Sequence, residues 1–519
     1  MRRESKILFL FLVILSISLL INLDVKNLFH EEPRRGIVAF EMIEKKDFLQ
    51  PTVLGEPYFK KPPLHNWILV LSSFLVGEIG EFSLRFPSIV ATILLVVASY
   101  FFVRKIFDSK VALLSSLITA TTGTLLFVYS TKCEPDAFFT LFVFLSIFSW
   151  YTLFESGKRK SAWFFGYFFT SLAALTKGLP AFHFFYIAVI SYVIVKRNPK
   201  ILFSKEHLFG ALGLFPFFSW IVLIPTEKAA LTLFHEVSSR SPLNFSFHRI
   251  LERYITFPFR FFISTLPWSL VVLVVLLKKK EKVKNLLKDE RIFFLVLTLL
   301  GNLAVYWFFP GSRMRYTMPI HPIFAVIVAV FLKDFYLKRI NSGRFLIFLS
   351  AILTSLVILF LIKLLPSTVI LKNMLLFYLT VAIIFLYFRF FKTETKHVVV
   401  FLSAILLIFR SFYNSFIIPV SSVNKPPYRE IAKEIVALSK GKALCSMSYN
   451  LKILFYVEKF RGEVVPLCKY SSQRELFVSD ERASNILKEF LVGKKKIYLN
   501  SFTKNGNISF ADSLKTKSQ

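Results

Sequence analysis

Long apolar runs alternate with short polar breaks through most of the chain. Runs of suitable length fall near 6–22, 83–103, 111–130, 134–154, 161–179, 180–196, 206–225, 261–277, 291–309, 316–333, 345–363, 373–392 and 398–417. A helix needs roughly 20 apolar residues to cross a bilayer, so the pattern predicts about thirteen membrane spans. Two shorter stretches, Gly36–Phe48 and Leu64–Val76, fit helices that lie at the membrane surface. After Pro419 the alternation stops. Residues 424–519 read as an amphipathic helix at Tyr428–Leu438, short strands at Lys442–Met447, Glu463–Cys468 and Lys496–Asn500, and a helix at Ala483–Leu491. The last dozen residues, FADSLKTKSQ among them, read as a frayed end. The expected organisation is a polytopic α-helical membrane domain over residues 1–420 and a small extracytoplasmic α/β domain over 421–519. The membrane domain carries the surface helices in its first outer loop, 23–82.

Composition agrees with this reading. The 519 residues are 55% hydrophobic and include 63 Phe, and the mean hydropathy is +0.60. Soluble domains hold about 45–50% apolar residues and lack recurring long runs. The net charge is +33, from 65 Lys and Arg against 32 Asp and Glu. In a soluble chain that balance would point to nucleic acid. Here the basic residues sit in short loops between spans, where the positive-inside rule explains them and no nucleic-acid partner is implied. The loops Arg104–Lys110, Glu155–Lys160, Lys196–Lys205, Lys278–Arg291, Asp334–Arg344 and Arg389–His397 then face the cytoplasm. The opposite face receives 23–82, 131–133, the turn at Lys177-Gly178, 226–260, 310–315, 364–372 and the C-terminal segment. The basic N-terminus and the run Ile7–Ile21 lack an A-x-A-like cleavage site, so they read as a retained first helix acting as a signal anchor. Cys133, Cys445 and Cys468 have no metal-ligand spacing; Cys445 and Cys468 can pair in an oxidising compartment.

Every cluster that looks chemical rather than merely basic falls on that outer face. The charged stretch Glu31–Pro63 opens with Glu31-Glu32-Pro33-Arg34-Arg35 and ends with Gly55-Glu56-Pro57-Tyr58-Phe59-Lys60-Lys61-Pro62-Pro63. The prolines fix the backbone after Lys61, a way to aim a Lys at an anion near the headgroups. Lys132-Cys133-Glu134-Pro135-Asp136 opens a span and puts Asp136 where the helix dipole favours an anion. Lys177 sits in a tight turn, Thr176-Lys177-Gly178-Leu179-Pro180, between two spans. The outer loop 226–260 holds His235-Glu236-Val237-Ser238-Ser239-Arg240. The stretch Pro310–Pro322 holds Arg313, Arg315 and Tyr316, and Arg pairs suit phosphate because each guanidinium is a fork of donors. Each cluster alone has a bland reading as a solvated loop, a helix cap or an interfacial anchor. Together, paired carboxylates and cations on one face are what glycosyl or phosphoryl transfer from a lipid phosphate requires.

The order of these clusters resembles a known family. A DExRYA-like piece (Glu31 to Gly36), GEPYFKKPPL (Gly55 to Leu64), the acidic motif at Asp136, the LTKG turn (Leu175 to Gly178) and RYTMPIHP (Arg315 to Pro322) follow one another over residues 5–420. The pattern is similar to that of the bacterial aminoarabinose transferases and dolichyl-phosphate-mannose-protein mannosyltransferases, which are GT-C-type membrane glycosyltransferases. The resemblance implies a polyprenyl-phosphate-linked sugar donor used outside the cytoplasmic membrane. It implies Glu31 and Asp136 as catalytic acids, and Tyr58, Lys61, Tyr316 and Arg240 as ligands of the donor phosphate. Arg34 keeps a family Arg, while Arg35 stands where Tyr is common. Glu31 stands where the family has Asp, and Lys60 where it has Glu, which reverses a charge beside the site. Arg313, Arg315 and Lys177 complete the expected substrate contacts. No cofactor is required by the pattern, although a divalent metal is compatible with it. The expected acceptor is an envelope lipid such as lipid A. Transfer to protein Ser or Thr is the alternative, and a flippase for a lipid-linked sugar is the alternative from another class. A flippase fits less well, because transporters keep ionisable groups near the midplane.

Overall fold

The computed structural model describes residues 3–224, 238, 246–278, 285–309, 311–334, 351–353, 367–390, 397–423, 427–441, 443–446, 449–468, 476–479, 497–501 and 508–511. The chain divides into two compact units. One comprises Met1–Leu23, Lys60–His65 and Arg85–Val420; the other comprises Asp24–Phe59, Asn66–Leu84 and Ser421–Gln519. Most of the first outer loop is therefore grouped with the C-terminal segment.

The first unit is a bundle of apolar helices. Among the described residues of the chain, seven helices are long and apolar enough to cross a membrane, and up to nine if two bent pairs each count as one. The described helices thus do not reach thirteen spans. The run 345–363 lies almost wholly outside the described residues. Pro180–Lys196 is a shorter apolar helix, and Arg3–Leu20 and Arg159–Lys177 carry charges at their ends. The run expected as one span at 261–277 is broken: Phe247–Ser264 and Trp268–Val274 meet at a bend of 103°. Pro267 lies in the break, where it lacks the N–H and its ring opposes a continuing helix. The core is aromatic. Trp150, Trp163, Trp220 and Trp268 are fully buried, and Trp150 meets Trp163 edge-on at 5.5 Å and Tyr192 at 5.2 Å.

Polar contacts at the helix ends sort the loops of this unit. At one end Lys333 pairs with Asp108 at 2.5 Å, and the Lys333 carbonyl meets His397 Nε2 at 3.1 Å. Arg291 donates to the Ile106 carbonyl, and Lys196 pairs with Glu155 and Glu290. These contacts join loops that the charge pattern assigns to a single side. The turns at 131–134, 177 and 312–315 meet at the other end, as described below. Helices of 20 and 19 residues, Asp136–Glu155 and Arg159–Lys177, run antiparallel around a short Ser156–Lys158 turn, so the start of one and the end of the next return to the same level.

The second unit joins helix Glu32–Lys45 to helix Leu451–Arg461. They approach so closely that a Cβ on Gly36 would lie 2.6 Å from the Phe455 ring. Glu81 accepts from Tyr456 Oη at 2.5 Å and from Arg429 Nε at 2.8 Å, and Tyr456 Oη accepts the Leu28 N–H. A four-stranded sheet places Leu444–Ser446, Leu476–Ser479 and Ile497–Ser501 in parallel, with Ile508–Ala511 antiparallel at the edge. Helix Tyr428–Leu438 falls where the periodicity predicts it. Three other expectations change. Glu463–Cys468 is an extended strap with one bridge, Ser446 to Leu467, rather than a strand. Helix Leu451–Arg461 was not anticipated. Residues 508–511 form a strand where a frayed end was expected. The expected helix Ala483–Leu491 lies outside the described residues. Cys445 and Cys468 form a disulfide.

Glu458 is fully buried in this unit. Its carboxylate accepts the Val465 N–H at 3.0 Å, while Oε2 has no partner among the described residues. Burial first, and the neighbouring Glu41 charge second, push its carboxyl well above the usual value of 4.5. The unfolded chain titrates near that usual value. The folded state therefore holds its proton more tightly, and Glu458's contribution falls as pH rises through the folded value. Glu458→Gln keeps an acceptor for Val465 and cannot ionise. In thermal unfolding of the full chain in detergent, this variant should melt above the parent at pH 8 and level with it near pH 4.

Candidate active site

In the first unit, helix polarity and chain reversal build a charged cluster at one end of the bundle. Asp136 is the first residue of its helix, after Pro135, and Lys177 is the last residue of the next helix, before Gly178. An anion at a helix start and a cation at a helix end are each favoured by the macrodipole. The two side chains meet at 2.6 Å, 1% and 8% exposed. Gly178 ends the helix at φ 92°, a conformation that strains side-chain-bearing residues, and Pro180 restarts it. Asp136 Oδ2 has no hydrogen-bond partner among the described residues.

A second buried acid lies beside this pair. Glu134 pairs with Lys132 at 2.6 Å and with Arg315 from the turn Met314–Ile320. Tyr316 lines the cluster: its ring centre is 4.8 Å from Lys177 Nζ and 5.8 Å from the Arg315 guanidinium, arrangements that suit cation–π attraction. Phe139 lies under Lys177 at 5.0 Å. Among the described residues, Lys132, Lys177 and Arg315 thus meet Glu134 and Asp136 in one buried cluster.

Two buried arginines brace the turns that carry these groups. Arg410 donates to the Phe127 carbonyl at 3.2 Å and to Thr131 Oγ1 at 2.6 Å. It thereby holds the short turn Tyr129–Thr131 that leads to Lys132. Ser88 supports the same turn by donating to the Lys132 carbonyl at 2.6 Å. Arg253 donates to Ser312 Oγ at 3.0 Å, and Ser312 donates to the Tyr306 carbonyl. Sequence reasoning missed Arg410 and Arg253, and it named Asp136 but not Glu134 as a site acid. Arg410 had a signal, since a lone cation inside an apolar run is expensive.

The structure divides the two arginines of 313–315. Arg315 is engaged by Glu134, whereas Arg313 is exposed. Lys61 is half-buried in the first unit. Arg240 lies outside the described residues. Glu31, Arg34 and Tyr58 belong to the second unit. There Glu31 pairs with Arg34, each side chain 32% exposed, and the Arg34 and Arg35 guanidinium groups lie 5.8 and 5.7 Å from the Tyr58 ring centre. Among the described residues no group of three or more His, Cys, Asp or Glu side chains is placed to hold a metal ion.

Comparison with known proteins accords with this geometry. A family model described as dolichyl-phosphate-mannose-protein mannosyltransferase matches residues 60–222. An uncharacterized protein of Aquifex aeolicus (strain VF5) is 26% identical over 81% of this chain and 80% of its own length. The undecaprenyl phosphate-alpha-4-amino-4-deoxy-L-arabinose arabinosyl transferase of Pseudomonas aeruginosa (strain UCBPP-PA14) is 26% identical over 56% of this chain. That alignment spans about half of the transferase's length, 52%. The crystal structure of ArnT from Cupriavidus metallidurans bound to undecaprenyl phosphate superposes with a TM-score of 0.66, covering 96% of this chain and 94% of that one at 15% identity. The chain is a multi-span membrane protein of GT-C fold that resembles the aminoarabinose transferase and dolichyl-phosphate-mannose-protein mannosyltransferase family of membrane glycosyltransferases.

Proposed function

We propose that the protein transfers a sugar from a polyprenyl-phosphate-linked donor to an envelope lipid such as lipid A, on the outer face of the cytoplasmic membrane. The observation that carries this reading is the buried cluster in which Lys177 and Arg315 meet Asp136 and Glu134 beside Tyr316. Cations held in place in a water-poor site suit a substrate that develops negative charge. The acceptor oxygen attacks the anomeric carbon as the bond from that carbon to the phosphate oxygen breaks. The donor's phosphodiester becomes a monoester and gains negative charge as it leaves. Lys177, Arg315 and Tyr316 are placed in one cluster where such charge can be stabilised. Lys61, Tyr58, Arg34, Arg240 and Arg313 are assigned to the same phosphate and substrate by the sequence pattern.

Glu31 and Asp136 are each engaged with a cation, Arg34 and Lys177. In this reading the carboxylates orient the acceptor or the sugar. A hydroxyl acceptor requires one of them to take its proton. A phosphate acceptor is already ionised and requires no base.

The deciding assay supplies membranes holding the protein with a labelled polyprenyl-phosphate sugar and follows the label. Label in extracted glycolipid supports the lipid reading. Label in protein would replace it with transfer to Ser or Thr; the matching family's description names a protein mannosyltransferase. Lys61→Ala should lose turnover by about a hundredfold or more while the protein remains folded, as for the loss of a preorganised charge stabiliser. Near-parental turnover in that variant would remove Lys61 from the phosphate site.

The ion pair makes a separate prediction. Lys177→Met or Asp136→Asn alone strands a buried charge, at a cost of about 3–5 kcal/mol. The double variant should recover much of that stability in a thermal melt yet remain inactive. Recovered turnover in the double variant would make the pair purely structural.

A further inference from the structure

The hairpin that leads into Tyr58 is held in a conformation its own sequence does not favour. Thr52-Val53 pairs with Glu56-Pro57 across a two-residue turn, Leu54-Gly55. Both turn residues have positive φ, 54° and 77°. Gly adopts such a turn readily, but a leucine there is strained by its Cβ. Leu54 is fully buried, and burial of its side chain offsets that strain. The turn is thus set by its surroundings, and those surroundings come from two directions.

Glu41 holds one side. Its fully buried carboxylate collects Thr52 Oγ1, the Gly55 N–H at 3.2 Å and Lys45 Nζ at 3.4 Å. The strap Val465–Cys468 holds the other. The Leu467 N–H donates to the Leu54 carbonyl at 3.1 Å, and Pro466 lies 3.3 Å from the position a Cβ would take on Gly55. The strap is itself fixed at both ends. Val465 N–H binds Glu458. The Ser446 N–H donates to the Pro466 carbonyl at 2.8 Å, and the Ser446 carbonyl accepts the Cys468 N–H at 2.9 Å. The Cys445–Cys468 disulfide closes it. Beyond the hairpin, the Tyr58 N–H donates to the Pro51 carbonyl at 2.8 Å, so the hairpin sets where Tyr58 leaves the backbone.

We propose that Glu41 and the strap Val465–Cys468 are positioning elements for Tyr58, and that the C-terminal segment serves sugar transfer as the brace of the donor-phosphate loop. This inference rests on the reading of Tyr58 as a ligand of that phosphate. Neither Glu41 nor the strap is assigned contact with substrate. Their effect reaches it through the hairpin.

The test uses the full chain in lipid nanodiscs, as Glu41→Gln and as the double variant Cys445→Ser, Cys468→Ser. Amide hydrogen exchange over 52–58 is read first, without substrate. Both variants should exchange about tenfold faster there than the parent, because local opening governs protection. Unchanged exchange in both would overturn the brace whatever the activity. The second measurement is kcat and KM for a polyprenyl-phosphate sugar. Each variant should raise the donor KM about tenfold with kcat within about threefold, the signature of lost donor binding. Tyr58→Phe then closes a double-mutant cycle with Glu41→Gln. If Glu41 acts through Tyr58, the combined variant should have the KM of Tyr58→Phe alone; additive effects would reject the coupling. A parent chain that transfers no sugar would defeat the proposed function, and the exchange result would still decide the brace.

Discussion

The ion pair between Asp136 and Lys177 is the constraint on which the first unit's polar end depends. A membrane bundle can bury such a pair only where the backbone helps. Here each partner sits at the helix end whose dipole favours its charge. Two antiparallel helices of nearly equal length then bring those ends together. The same level receives the turn with Arg315, which engages Glu134. Hydrophobic length therefore does more than anchor the protein. It sets the height at which the charged groups meet, and a one-turn change in either helix would separate them by about 5 Å.

Much of this architecture was legible in the apolar periodicity. The starts and ends of Asp136–Glu155, Arg159–Lys177 and Glu290–Phe308 fall close to the apolar runs that predict them. The bend between Phe247–Ser264 and Trp268–Val274 was less legible, because apolar residues continue through Pro267 and hydropathy does not register backbone direction. Helix Leu451–Arg461 failed for a related reason. Ile453 to Val457 is a continuous apolar run, and all five residues are buried. A short run with no polar face does not distinguish a buried helix from a strand.

The candidate site shows the same division. Asp136, Lys177 and Arg315 stand out singly because charges are rare among long apolar runs. Their pairing was not legible, since it depends on which helix ends reach the same level. Glu134 was not singled out beside Asp136, because its partner Arg315 lies 181 residues away. Arg410 was overlooked within an apolar span. Its role is visible only when Phe127 and Thr131 are found against it. A buried arginine that donates to a carbonyl and a hydroxyl acts structurally, by holding a turn that lacks enough helical hydrogen bonds of its own.

The C-terminal segment carried no sequence signature, and the contacts it makes explain why. Its tie to the hairpin is largely backbone to backbone, from Leu467 N–H to the Leu54 carbonyl, and the strap is fastened to Ser446 in the same way. Any non-proline residue supplies such an N–H, so the contact constrains conformation rather than side-chain identity. Among the described residues, side-chain identity enters this tie at Glu41, Glu458 and the two cysteines. A segment built on this principle can diverge widely in sequence while its fold persists, which accords with a superposition on ArnT over nearly the whole chain at 15% identity.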